Sequence, residues 1–324
     1  MMMLMEQDFD QTDLQVRVTA IREFTDAALR QYLPPRRDDD WLAATVDRPR
    51  FGWDWHALEH GFLGPFYAWA DAHPSRERPV LAALLIDALG GDYRRHGCEL
   101  AALEIRHVGT VMLEACQNGR DLRESAPAEI AVPMPVWVTI AYNARQLATV
   151  LVFRHATGLP GDRRYWLGRR FAQSLWHQGI GATLNLWGAQ SGSAHASVED
   201  FVTYLRLYVG PLTYALACDV ASAASGLTAA SADFLARAGV ELGVTVRLAD
   251  MVDSGQHPAQ PGPPSEQRIS WMGGVDIDAA GHARHAVTQA ALSWASRVSL
   301  AAPQAFEAFL RVLGTPLGPE ATAS

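Results

Sequence analysis

Two pairs of oxygen-bearing side chains give the first chemical signal in this chain. Glu114 is followed four residues on by Asn118, and Asp250 three residues on by Asp253. Residues three or four apart share one helix face, so each pair sets two oxygens side by side. Mg²⁺ calls for such donors, because it takes near-octahedral oxygen coordination from carboxylates, phosphates and water. Two pairs suffice for one ion and are too few for three. Arg78 adds a forked guanidinium that matches phosphate geometry. Tyr208, Trp137, Tyr142, Trp176 and Trp187 fall on long apolar segments. A ring face attracts a cation by about 0.5–2 kcal/mol, so a cavity lined by such rings suits a carbocation. The same rings also serve as ordinary core packing.

Helices must position these groups. Leu14 to Leu33 places Val16, Ile21, Phe24, Ala28 and Leu29 on one helical face. The same periodicity predicts helices at about 56–70, 79–89, 93–118, 134–156, 163–188, 199–223, 229–253, 283–298 and 303–313. Breakers lie between them, among them Pro34-Pro35, Gly90-Gly91 and Gly158–Gly161. Strand signals are scarce. The expected fold class is all-α, one large helical bundle with a central cavity between helices. A single domain over 1–324 is expected, with 1–55 an N-terminal helix and connecting segment, and 255–270 a Pro-rich loop.

Bulk properties narrow the function. A chain of 324 residues, 49% of them hydrophobic, buries a large core. The formal charge of -8 argues against nucleic-acid partners and anionic membrane surfaces. The three cysteines, Cys98, Cys116 and Cys218, lack pairing or metal-type spacing, which fits a reducing cytoplasm. The start MMMLMEQDFD is too short and lacks the basic region of a signal peptide. No run reaches the roughly 20 apolar residues of a membrane span. No Walker, GxGxxG, HExxH or paired-cysteine zinc pattern occurs.

Longer motifs point further. Leu103 to Pro127, LEIRHVGTVMLEACQNGRDLRESAP, resembles the first aspartate-rich segment of trans-prenyl diphosphate synthases. Glu104, His107, Thr110, Arg123 and Pro127 fall on pattern positions. The three aspartates are replaced by Glu114, Ala115 and Asn118, and the second arginine of the segment by Glu124. Ser75 to Pro79 resembles the family's K-R-x-R-P, with Ser75 for the lysine. Ile140 to Leu147 resembles its A-x-N-A-G-D-x-L segment, keeping Asn143 and carrying Arg145 for glycine and Gln146 for aspartate. Gly181 to Leu186 resembles G-Q-x-x-D-L with Ala182 and Asn185, and Tyr208-Val209 stands for a Lys-Thr pair. Leu242 to Asp253 resembles the second aspartate-rich segment with one residue deleted, keeping Asp250 and Asp253.

The resemblance spans about Ser75 to Asp253 and implies a diphosphate-binding bundle of the isoprenoid synthase type, commonly dimeric. It implies catalytic positions at Glu114, Asn118, Asp250 and Asp253, the first and the last two as metal ligands. It implies substrate contacts from Arg78, His107, Arg123, Asn143, Asn185 and Tyr208, to which the aromatic residues of the core helices add Trp187. Mg²⁺ is implied at a reduced site or not at all. Two functions follow from it. One is an atypical terpene cyclase or prenyl-transferring enzyme that takes a prenyl diphosphate or another isoprenoid. The other is a non-catalytic subunit paired with an active prenyl diphosphate synthase. The expected assembly is a homodimer, or a heterodimer with a catalytic homologue.

Overall fold

The structure, a computed structural model, describes residues 11–35, 38–46, 55–117, 132–190, 198–209, 214–253 and 277–314. Within these spans the side chains of residues 184–190, Gln11, Val46, Trp55, Gln117, Met251, Asp253, Ile277 and Asp278 fall outside the description. The described residues form helices and connections, with no strand among them. In chain order the helices are α1 Gln11–Tyr32, α2 Asp39–Val46, α3 Trp55–Leu58, α4 Gly64–Ala72, α5 Glu77–Ala88 and α6 Gly97–Gln117. They continue with α7 Met134–His155, α8 Gly161–Gln190, α9 Val198–Tyr208, α10 Ala215–Ser225, α11 Ala229–Asp253, α12 Ile277–Ser296 and α13 Ala301–Val312. A π-helical turn, Glu59–Leu63, joins α3 to α4, so the expected helix at about 56–70 carries a local π-bulge.

α5 and α6 are apolar nearly all round because both lie inside the bundle. From Val80 to Ile86 every residue of α5 is buried, as are Leu100 to Ile105 of α6 with Glu104 among them. A helix hydrophobic on all faces belongs in a core. α6 packs along α7, and their approach is close at Gly109. A Cβ there would meet the Ala141 carbonyl oxygen at 2.8 Å and Arg145 Cγ at 2.9 Å. α1, α10 and α13 surround α5 and α6, and α11 pairs with α12. Phe201, Tyr204, Leu205 and Tyr208 of α9 form a second apolar cluster with Val244, Leu248 and Val287 of α11 and α12.

Two elements depart from the sequence expectation. The helix expected at about 199–223 is two helices, α9 and α10, and 210–213 between them lies outside the described residues. The sequence there contains Gly210-Pro211, and proline lacks the amide that continues a helix. α2 was not expected because eight residues carry little periodicity. Its start is capped by Asp38, which accepts from the Trp41 amide at 2.8 Å, and its side chains reach α1 and α7. The Pro-rich loop lies outside the described residues. By length and composition α7 is the one described helix long and apolar enough to cross a membrane, contrary to the expectation of none. In the fold it is a bundle helix, with Trp137, Ile140, Ala144, Ala148 and Leu151 fully buried against its neighbours.

Candidate active site in the bundle centre

The site is built on an ion-pair joint among α1, α4, α5 and α6. Arg76 sits just before α5 in the left-handed region, at φ 50°, and is 1% exposed. Its Nε donates to Asp26 Oδ1 at 2.7 Å, and Nη1 donates to the Ala70 and His73 carbonyls and to Glu104 Oε1 at 3.1 Å. L-residues adopt this backbone region only when surroundings over-determine it. Four acceptors, spread over α1, the end of α4 and α6, do so here. The joint therefore fixes the first turn of α5, which carries Arg78.

Arg78 Nη1 donates to His107 Nε2 at 2.8 Å and lies 3.3 Å from Glu77 Oε2. Because arginine offers no acceptor, Nε2 of His107 accepts this bond and the ring is the neutral tautomer. Burial, followed by Arg78, Arg76 and His73, holds the His107 pKa well below the usual histidine range. The Arg78 guanidinium also lies over the Tyr214 ring at 5.4 Å, and the Tyr214 hydroxyl donates to Glu77 Oε2 at 3.1 Å.

Glu114 lies two turns further along α6, about 10 Å from His107 on the same face. Its Oε1 accepts from the Tyr208 hydroxyl at 3.3 Å, and Tyr204 stacks on Tyr208 at 5.4 Å. Tyr208 reaches this position because residue 181 is glycine. A Cβ at Gly181 would sit 2.2 Å from the ring. Burial pushes the Glu114 pKa up, while Arg247, the Tyr208 hydrogen bond, Arg78 and Arg145 pull it down. One carboxyl group thus stands in the field of three guanidinium groups.

Two of the neighbouring arginines are buried with no carboxylate at ion-pair distance among the described residues. Arg145 is 4% exposed and lies over the Tyr142 ring at 5.5 Å. Its Nε finds no hydrogen-bond partner among the described residues. Arg106, 3% exposed, donates to the neutral oxygens of Gln178 and Ser174 at 3.2 Å and of Thr110 at 3.4 Å. Burial, reinforced by Arg145, lowers its pKa to about 9. Sequence reading passed over Arg106 and Arg247 and treated Arg145 only as a stand-in for glycine. The available signal was a lone cation inside an apolar helical stretch.

The other expected site residues divide into three groups. Arg78, His107, Glu114 and Tyr208 come together as described. Asn143 is exposed on α7, and Asp250 is 62% exposed with its carboxylate 3.8 Å from Arg247 Nη1. Asn118 and Arg123 lie outside the described residues, as do the side chains of Asn185, Trp187 and Asp253. The expectation that several tryptophans and tyrosines line one cavity is corrected. Tyr142 and Trp176 are 50% and 70% exposed, and Trp137 is packed in the core against Trp69 at 6.5 Å. Helical periodicity places an aromatic on a core helix without saying which of several faces it occupies.

A second polar cleft of about 220 Å³ opens between α8, α10 and α11. Arg170 Nε donates to Asp219 Oδ2 at 2.9 Å, and Arg237 Nε donates to Asp233 at 3.0 Å on its rim. Asp219 is buried, and its Oδ1 lacks a hydrogen-bond partner among the described residues. Burial pushes its pKa up to about 6 against the pull of Arg170.

Comparison with known proteins identifies the architecture. No family model matches the chain. No curated protein matches it. Among solved structures it is similar to an FPP/GFPP synthase from Zymomonas mobilis, with TM-score 0.72 and 14% identity over 93% of this chain and 99% of that one. It is similar to a geranylgeranyl pyrophosphate synthetase from the archaeon Geoglobus acetivorans, with TM-score 0.67 and 13% identity over 93% and 99%. It is also similar to a decaprenyl diphosphate synthase from Rhodobacter capsulatus, with TM-score 0.65 and 14% identity over 93% and 99%. The chain has the all-α isoprenoid synthase fold. At these identities the likeness establishes the fold.

Mg²⁺, implied by the resemblance, has to be tested against the donors present. Among the described residues no three of His, Cys, Asp and Glu converge. Glu114 is occupied by Tyr208 and surrounded by cations, and Asp250 faces Arg247. The described residues do not fit a magnesium cluster.

Proposed function

We propose that this protein is a divergent member of the trans-prenyl diphosphate synthase family that acts on an isoprenoid substrate, as an atypical terpene cyclase or prenyl-transferring enzyme. The observation that carries the reading is the convergence of Arg78, His107, Glu114 and Tyr208 in the centre of the bundle. In this reading the prenyl chain lies among the apolar faces of the bundle, as ligand pockets are mostly apolar with a few polar groups. Arg78 and its cationic neighbours hold the anionic headgroup. His107, kept neutral, fixes the Arg78 fork through the 2.8 Å hydrogen bond.

The chemistry is heterolysis of an allylic C–O bond, in which the headgroup leaves with the electron pair and an allylic cation remains. Loss of a proton to give an alkene completes the balance, as does capture of water followed by loss of a proton; attack by an alkene moves the cation to a new carbon, which is quenched in one of the same two ways. The Tyr208 and Tyr204 rings would steady the cation by cation–π attraction in a water-poor site. A single domain and a cytoplasmic location belong to the same proposal. The test is incubation of the isolated chain with C10 to C25 prenyl diphosphates, read by gas chromatography. Hydrocarbon or alcohol products are expected, and their absence under all conditions would reject the enzymatic reading.

One feature favours a second reading, a non-catalytic subunit paired with an active homologue. Tyr165, Trp176 and Ile180 are exposed along α8, and Phe153 of α7 lies 6.0 Å from Tyr165 beside them. Such an apolar stripe suits a second helical chain, a copy of this one or a catalytic relative. Under this reading the isolated chain turns over nothing but co-purifies with an active synthase, and Trp176→Glu abolishes the pairing.

A further inference from the structure

We propose that the central site holds an oxyanion headgroup, phosphate or diphosphate, directly through Arg145 and Arg247 beside Arg78, with guanidinium groups taking the place of divalent cations. The inference rests on the functional reading above and goes beyond it by naming how the ligand is bound. Its first support is charge. Arg78 on α5, Arg145 on α7 and Arg247 on α11 all act on Glu114 from different helices. Asp250 lies beside Arg247 and Glu77 beside Arg78, which leaves Arg145 without a carboxylate of its own at ion-pair distance among the described residues.

The second support is an unmet donor. Arg145 is 4% exposed, and its Nε has no acceptor among the described residues. Burying a cation without a hydrogen-bonded counter-charge costs several kcal/mol, so such a group is retained where something offsets it. An oxyanion does, and guanidinium binds one through two parallel hydrogen bonds. Arg106, buried among neutral acceptors and within the field of Arg145, adds to the positive charge. The third support is the misfit of the described carboxylates to a magnesium cluster. What the substitutions remove as metal ligands, the arginines return as positive charge.

Alternative pairing of Arg145 with Glu114 does not remove the argument. Glu114 already accepts from Tyr208 and faces two further arginines, so one carboxylate is shared among three cations. A ligand with several oxygens satisfies all of them at once.

The experiment is isothermal titration of the full chain with inorganic pyrophosphate, in EDTA and in excess Mg²⁺. Binding in EDTA is expected, with Mg²⁺ changing the Kd by less than about threefold, or ~0.65 kcal/mol. Arg145→Gln and Arg247→Gln are each expected to weaken it by about tenfold or more. Arg145→Lys should recover part, because it keeps the charge and loses the fork. Arg247 is 42% exposed, so its variant folds even if Arg145→Gln does not. Binding only with Mg²⁺, or binding indifferent to Arg247→Gln, overturns the proposal. Pyrophosphate binding in EDTA without turnover of any prenyl diphosphate would reject the enzymatic reading and leave this inference standing. Turnover that requires Mg²⁺, with no binding in EDTA, would do the reverse.

Discussion

Replacing Arg76 by methionine isolates the joint on which the site is built. The change keeps side-chain bulk and removes the cation bonded to Glu104, which is 1% exposed. Glu104 Oε2 has no hydrogen-bond partner among the described residues even with Arg76 in place. Removing one member of a buried pair costs about 3–5 kcal/mol, because the other charge is stranded. Asp26, 43% exposed, regains water and contributes little to this loss. The Ala70 and His73 carbonyls each lose a donor, which adds roughly 1 kcal/mol apiece where water does not replace it. The expected destabilisation is therefore at least about 3 kcal/mol in urea unfolding at neutral pH, with the m-value unchanged. Burial already pushes the Glu104 pKa up, and loss of Arg76 raises it further. A folded-state pKa above the unfolded one means stability is present below the unfolded value and lost as pH rises through the folded one. The Arg76→Met deficit should thus shrink towards about pH 4, where an unfolded glutamate is half protonated. Arg76→Met combined with Glu104→Leu should recover at least about 2 kcal/mol, since no charge is left buried. A deficit under about 1 kcal/mol at every pH, or no recovery in the double variant, would refute the reasoning.

Asp219 gives a second pH signature in the other cleft. Its pKa is raised from 3.8 to about 6 by burial, so its contribution is present below about pH 4 and lost as pH rises through 6. Relative to Asp219→Asn, the native chain should lose up to about 3 kcal/mol over that window, since each tenfold change in proton affinity is worth about 1.4 kcal/mol. A parallel pair of stability curves would contradict the assignment. Gly109→Val should destabilise by about 1–3 kcal/mol or more in chemical denaturation, because the added carbons meet the Ala141 carbonyl and Arg145 Cγ at 2.8 and 2.9 Å. A neutral result would mean that α6 and α7 are not in close contact there.

The long helices were legible because each keeps a 3.6-residue apolar rhythm over many turns. α11 runs from Ala229 to Asp253, as the sequence suggested, and α7 ends within one residue of its expected limit. α2 was missed because one short turn pair has no rhythm to read. The break between α9 and α10 was passed over although Gly210-Pro211 marks it. At the site, Arg78, His107, Glu114 and Tyr208 were singled out by the family resemblance, whose motif positions fall on α5, α6 and α9, and the fold places their side chains near one another. Arg106, Arg145 and Arg247 were not, because their meaning depends on which helices pack together. A lone arginine in an apolar stretch reads the same whether it points to solvent or into a core. Tyr142 and Trp176 illustrate the converse, since each lies on a core helix and faces outward.

The most direct measurement is a crystal structure of the chain grown with Mg²⁺ and a non-hydrolysable prenyl thiodiphosphate. The expected result places the diphosphate within hydrogen-bonding distance of Arg78, Arg145 and Arg247, with the prenyl chain running between the core helices. A cluster of metal ions bridging the diphosphate to Glu114 and Asp250, with Arg145 turned away, would contradict the account.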